Sequence, residues 1–216
     1  MLDARIDKSQ VPDVYRKIAP IYDIWGLLTE SKARIRCLKL AAIRDGESVL
    51  EVAVGTGMAF AEILKSNPSG RNEGIDLMEQ MLNRAKKKAA KTGATNYHLS
   101  LGDAYALAFP NASFDVVINN YMFDLTPEKD FKTVLGEFKR VLRPGGRLVM
   151  VNMSMCERWH HALWELIYRL NPACLGGCRG VYILPYLESL RFKQIKREYI
   201  SQMTFPTEVV YAVKPK

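Results

Sequence analysis

Between residues 49 and 60 the chain reads Val-Leu-Glu-Val-Ala-Val-Gly-Thr-Gly-Met-Ala-Phe. An apolar run breaks on two glycines and restarts with helical spacing. Strand, glycine turn and helix in that order make a cradle for a nucleotide. Gly55 and Gly57 let the backbone approach a ligand closely, and the helix start offers free N–H groups at its positive end. Asp76 lies 19 residues past Gly57, at the end of the next apolar run. A carboxylate there can accept hydrogen bonds from both hydroxyls of a ribose. Thr56 in the turn, and Leu77 and Met81 flanking the acid, are assigned to the same ligand. The dinucleotide fingerprint G-x-G-x-x-G fails at its third glycine, where Phe60 stands.

These residues need a buried parallel sheet to position them. Val49–Val54, rich in β-branched residues, suits a strand covered on both faces. A helix over 58–65, halted at Asn67-Pro68-Ser69-Gly70, leads to a second strand over 73–77. The helix over 78–91 puts Met78, Met81, Leu82, Ala85 and Ala89 on one face and Lys86, Lys87, Lys88 and Lys91 on the other. Strands follow over 96–100 and 114–118. Asn119 and Asp124 come just after the latter, at the edge where open α/β sheets bind ligands. Thr126 as N-cap and Pro127 at the first position open a helix with Phe131, Val134, Leu135, Phe138, Val141 and Leu142 inward. Pro144-Gly145-Gly146 turns it into a fifth strand. An amphipathic helix over 157–170 carries His161, Trp164 and Tyr168 on a second face, with His160 beside them, and Arg179 leads to a short helix over 184–190. Strands over 192–200 and 209–213, with Pro206 between, close the chain as a hairpin.

The run from Glu51 to Gly57 also fits E/D-x-G-x-G-x-G at Glu51, Gly55 and Gly57, with Ala53 in place of the first glycine. One methyl is tolerated there if the backbone stays extended. Gly102-Asp103-Ala104, Leu107-Ala108-Phe109-Pro110, Leu142-Arg143-Pro144-Gly145-Gly146 and Ile18-Ala19-Pro20-Ile21-Tyr22-Asp23 accompany it. Together these motifs resemble the class I S-adenosylmethionine-dependent methyltransferases. The ubiquinone/menaquinone C-methyltransferases and related bacterial phospholipid N-methyltransferases are the most similar groups. The resemblance implies a Rossmann-like α/β fold. Its seven-stranded, mostly parallel sheet has an antiparallel last strand, helices on both faces, an N-terminal helical lid and an insertion after strand five. Residues 1–216 then form one domain: 1–43 the lid, 44–154 the cofactor core, 155–190 a substrate cap and 191–216 the closing hairpin. It also implies S-adenosylmethionine as cofactor, the Asp103 carboxylate on the adenine amine, the Ala104 N–H on a ring nitrogen, and a lid that carries Tyr15 and Tyr22, the latter over the cofactor.

Methyl transfer from a sulfonium is an in-line displacement that requires neither metal nor covalent enzyme intermediate, so no metal is expected and positioning carries most of the catalysis. A base is required only where the acceptor arrives protonated. His160, His161 and Asp124 are the candidates. Tyr15, Trp164, Tyr168 and Arg179 are the candidate substrate residues. A quinol ring carbon and a phospholipid headgroup amine are the two acceptors that the resembling enzymes suggest, and a soluble small metabolite stays open. Two other classes compete: an NAD(P)-dependent oxidoreductase, disfavoured by Phe60 and the closing hairpin, and a non-catalytic cofactor- or RNA-binding protein.

The net charge is +8 over 216 residues, which favours an anionic partner such as a membrane surface, or serves solubility alone. Aromatic residues are not interleaved with a basic stripe, which argues against nucleic acid. No apolar stretch reaches membrane-spanning length. Cys37, Cys156, Cys174 and Cys178 form no C-x-x-C pair and read as reduced thiols of a cytoplasmic protein, peripheral to the inner membrane face if the basic surface binds lipid. The pattern does not specify an oligomeric state.

Overall fold

A computed structural model describes residues 26–155, 162–170 and 177–216. The Tyr15 and Tyr22 segment and His160 and His161 lie outside these residues. Strands β1 (Ser48–Val52), β2 (Arg71–Asp76), β3 (Tyr97–Leu101), β4 (Phe114–Asn120), β5 (Leu142–Met153), β6 (Lys193–Gln202) and β7 (Phe205–Val213) form one sheet in the order β3-β2-β1-β4-β5-β7-β6. The first five are mutually parallel, and β7 runs antiparallel to both β5 and β6. The order reverses beside β1, so β1 and β4 part at their carboxyl ends and leave a crevice there.

Two hydrophobic layers hold the sheet. Leu50 and Val117 point to a layer with Phe131, Val134, Leu135 and Phe138 of helix α4 (Phe131–Val141) and Leu187 of α6 (Leu184–Ser189). Val49, Val116 and Ile118 point to the other, with Cys37 of α1 (Ser31–Ala41), Ile63 of α2 (Met58–Ser66) and Leu82 of α3 (Glu79–Ala90). Successive residues of one strand thus serve opposite layers, the reason for unbroken apolar runs. α5 (Ala162–Leu170) lies beyond β5, where Trp164 packs edge-on against Phe205 with centroids 5.4 Å apart. No helix of the described residues is long and apolar enough to cross a membrane.

Local chemistry departs from expectation in three places. Thr126 does not cap a helix: its hydroxyl donates to the Met122 carbonyl, and a short 3-10 turn, Glu128–Asp130, precedes α4. Pro206 sits inside β7, a strand that starts at Phe205 and not at Val209. Most informative is Ala53, expected to be extended. Its φ is +59°, in the left-handed region, as are those of Gly55 and Gly57 at +55° and +81°. The chain bends sharply as it leaves β1, and Ala53 holds a conformation that glycine adopts without strain. A Cβ on Gly57 would stand 2.8 Å from the Ala85 Cα, so that glycine lets α2 and α3 pack closely.

Replacing Ala53 by Gly should relieve the left-handed strain and stabilise the fold by about 0.5–1 kcal/mol after the unfolded-chain entropy is deducted. Gly57→Ala should destabilise it by about 2 kcal/mol or more. Urea denaturation of the two variants against the parent checks both signs.

Candidate functional site

A mainly apolar cavity opens at the carboxyl ends of β1, β2 and β4. The bend Val52–Gly55, the β2 end Ile75–Met78, the Gly102–Tyr105 loop and the Asn120–Pro127 segment enclose it. A smaller recess adjoins it, and Ala53, Gly55, Asn120 and Tyr121 line both. Glu30 and Arg34, ahead of and within α1, and Glu51 complete the recess wall.

Asp76 joins the two turns at the cavity's back. One carboxyl oxygen accepts the Gly55 N–H at 2.8 Å and the other accepts the Met78 N–H at 2.9 Å. Each oxygen keeps a lone pair for a ligand hydroxyl. Burial pushes the Asp76 carboxyl above its ordinary range, and the N–H donors oppose that shift. Glu51 is also buried. One of its oxygens accepts from Asn120 Nδ2 at 3.1 Å, and the other, Oε2, has no partner among the described residues. Desolvation holds its carboxyl up at about 8, and the nearby Asp76 charge adds to the shift. Glu30 is held at about 7 by burial, against the pull of Arg34. An unpaired carboxyl oxygen beside two further acids is a site for a cationic group.

At the other end, Asp103 Oδ1 accepts the Tyr105 N–H at 3.1 Å, which sets the carboxyl at the cavity rim. The Tyr105 hydroxyl donates to Asp130, and desolvation with that bond raises its pKa, so it stays protonated at neutral pH. Ala104, Leu77 and Met81 supply apolar wall. The two spaces together offer hydrogen-bond acceptors at Asp76, apolar wall at Leu77 and Ala104, and an acidic side chain at Glu51.

The structure thus gathers Glu51, Ala53, Gly55, Thr56, Asp76, Leu77, Met81, Asp103 and Ala104 around the two adjoining spaces. Other candidates fall elsewhere. Gly57 lines neither space and serves helix packing. Asn119 is fully buried, donating to the Val52 carbonyl at 2.9 Å; its neighbour Asn120 faces the ligand space, because adjacent strand residues point to opposite sides. Asp124 is sealed behind the wall, both oxygens accepting the Met153 N–H at 3.0 Å, and burial lifts its carboxyl well above the ordinary range. It does not line the cavity and is not placed to act as a base on a bound acceptor. Arg179, expected at substrate, is buried and donates to the Phe123, Asp124 and Thr126 carbonyls at 3.2, 2.7 and 2.8 Å. Tyr168 is buried off the cavity, and Trp164 donates to the Thr204 carbonyl at 2.9 Å. Sequence reasoning missed Tyr121, which lines both spaces with a left-handed φ of +51° while its hydroxyl pairs with Thr207. It missed Glu30 and Arg34 too. The run Asn119-Asn120-Tyr121 marked the edge without saying which residue faced it.

Residues 49–146 match a family model described as a methyltransferase domain. The demethylmenaquinone methyltransferase of Lactococcus lactis subsp. lactis is 34% identical over 155 residues, 69% of this chain and 61% of that protein. The Staphylococcus aureus enzyme of the same name is 35% identical over 159 residues, 71% and 64%. The chain thus spans a little over three-fifths of the length of the curated relatives it matches. A solved magnesium protoporphyrin IX methyltransferase from Synechocystis PCC 6803, with bound SAH, superposes with a TM-score of 0.75 at 16% identity, covering 96% of this chain and all of that one; at that identity it shows the fold. By its motifs and these matches the chain is similar to methyltransferases, and the match to a methyltransferase domain lies at residues 49–146.

Proposed function

We propose that the protein transfers a methyl group from S-adenosylmethionine to a ring carbon of a quinol-type acceptor. The observation that carries the cofactor half is the unpartnered, buried Glu51 Oε2 in a recess that adjoins the Asp76 cavity. Glu51 takes the amino-acid ammonium, Asp76 the ribose hydroxyls, and the Asp103–Ala104 corner the adenine. The cofactor supplies the methyl as a sulfonium, whose leaving group is a neutral thioether. The protein's share is to hold an acceptor in line and exclude water. Asn120, Tyr121, Met122, Leu125 and Thr126 form the wall nearest the bend and serve the acceptor. Met122 and Leu125 are apolar, and Asn120, Tyr121 and Thr126 add hydrogen-bonding groups without charge, which suits an aromatic ring better than a charged headgroup amine. The names of the two bacterial relatives point the same way. Any base comes from outside this wall, and His160 and His161 keep that role.

Three outcomes test the reading. Asp76→Asn should weaken S-adenosylhomocysteine binding by about tenfold or more, since one charged acceptor becomes neutral; unchanged affinity by calorimetry refutes the ribose role.

The second concerns pH. A Glu51 carboxyl at about 8 when folded, against 4.5 as its ordinary value, leaves the folded chain holding an extra proton between those pH values. Stability of the ligand-free protein therefore falls as pH rises through that window, by on the order of 5 kcal/mol over its full span. Glu51→Gln should lessen the fall of the melting temperature with pH, and the part carried by Glu30 should remain. Pairing with a ligand ammonium lowers the carboxyl's pKa, so S-adenosylhomocysteine binding at pH 7 should release a proton. Calorimetry in buffers of different ionisation heat reads this. Release that persists in Glu51→Gln contradicts the assignment.

Finally, with labelled methyl donor, label should enter the quinone fraction of a bacterial lipid extract. Label in the phospholipid fraction alone would move the acceptor to the headgroup amine.

A further inference from the structure

The hairpin between β6 and β7 ends in an unusual turn. Gln202 pairs with Phe205, so only Met203 and Thr204 make the reversal, with φ of +48° and +64°. Two-residue hairpin turns with both φ positive are the province of Asn-Gly and its like, because side chains strain there and a β-branched one strains most. This chain instead places a methionine at the tip and leaves it 66% exposed. Neither the fold nor the cavity uses that side chain.

The tip does not stand alone. The Gln202 amide donates to the Leu27 and Leu28 carbonyls at 3.3 and 2.6 Å and accepts the Lys32 N–H at 2.8 Å, seating the hairpin on the start of α1. Leu27 and Leu28 are themselves exposed. Leu28, just ahead of α1, and Lys32, Ile35 and Lys39 along one face of it follow the spacing 28, 32, 35 and 39, and all four are exposed. On the other side, Trp164 ties α5 to the Thr204 carbonyl, and α5 carries exposed Leu166 and Leu170, the latter at 77%. α1 contains four cations and no acid.

We propose that this end of the molecule docks on the surface of an anionic lipid bilayer. Met203 and the exposed leucines enter the acyl boundary, while Lys32 and Lys39 lie among the phosphate headgroups. The pattern favours lipid over a protein partner. The apolar side chains come in ones and twos from three segments, with lysines beside them on α1, and protein interfaces exclude lysine from their centres. Lysines bind headgroups while their methylene stems follow apolar side chains inward. The location also fits. Met153 at the end of β5 pairs with Thr207, so the hairpin tip lies toward the sheet edge that holds the cavity. Trp164, Phe205 and Tyr121 run in contact from the tip to the cavity wall, with centroids 5.4 and 6.3 Å apart. The proposal goes beyond the methyl-transfer reading and needs no acceptor to be identified.

The test uses the full chain and vesicles of phosphatidylcholine, alone or with about a quarter phosphatidylglycerol. Flotation should recover the protein with the mixed vesicles, and added salt should release it. The double variant Met203→Asn, Thr204→Gly supplies the residues the turn prefers and removes the apolar tip. It should melt at the same temperature or higher, keep S-adenosylhomocysteine binding, and bind mixed vesicles about tenfold more weakly. Lys32→Glu with Lys39→Glu should abolish the preference for anionic vesicles. The proposal is overturned if the parent binds neither vesicle, if the tip variant binds as well as the parent, or if light scattering shows a dimer that the tip variant dissociates. Because binding is read without turnover, a failure here leaves the methyl-transfer reading standing, and lost S-adenosylhomocysteine binding leaves this one standing.

Discussion

The Asp76 carboxylate ties together two turns that would otherwise part. Its oxygens accept the N–H of Gly55 in the bend after β1 and of Met78 at the start of α3. Taking a carboxylate out of water is costly, and two N–H donors offset much of that cost while aiming the remaining lone pairs into the cavity. The left-handed residues Ala53, Gly55 and Gly57 are needed because β1 must turn abruptly enough to present Gly55 to that acid. Structure and binding capacity thus come from the same four atoms: two carboxyl oxygens and two nitrogens.

The rest of the sheet serves to hold this junction rigid. β1 is central, paired in parallel with β2 and β4, and both its faces are buried. The outer strand β6 is less protected. Its exposed lysines, Lys193 and Lys196, discourage another strand from pairing with it. Among the described residues, Glu51 and Asn120 at the recess, and Asn119 and Asn152 away from it, each keep a buried oxygen without a partner. Such groups are retained at a cost to stability, which suits a place where a ligand provides the missing partner.

Sequence reading found the junction because its signal is local. Asp76, Gly55 and Asp103 lie at strand ends flanked by turn residues, and the order of apolar runs and glycines was enough to place the five parallel strands and the closing hairpin. It failed where facing direction decides. Asn119 and Asn120 have the same side chain, and a shift of one position exchanges wall for ligand space. Residue type also misled. Asp124, Tyr168 and Arg179 have chemistry suited to a substrate, yet here they satisfy backbone groups or fill the core. Ala53 shows a third limit: nothing in its identity announces a positive φ, which arises from the path the chain must take between β1 and Asp76.

Arg179 lies in the strap 177–183, held at the end of β5 by the bridge between Ser154 and Val181, and it grips the Phe123, Asp124 and Thr126 carbonyls behind the Asn120–Pro127 side of the cavity. That side is thus buttressed by chain that follows β5, whereas the Asp76 junction is tied by β1, β2 and the start of α3. On the methyl-transfer reading, replacing a single buried guanidinium would shift the loop around Met122 and Leu125 from behind and leave the Asp76 junction in place.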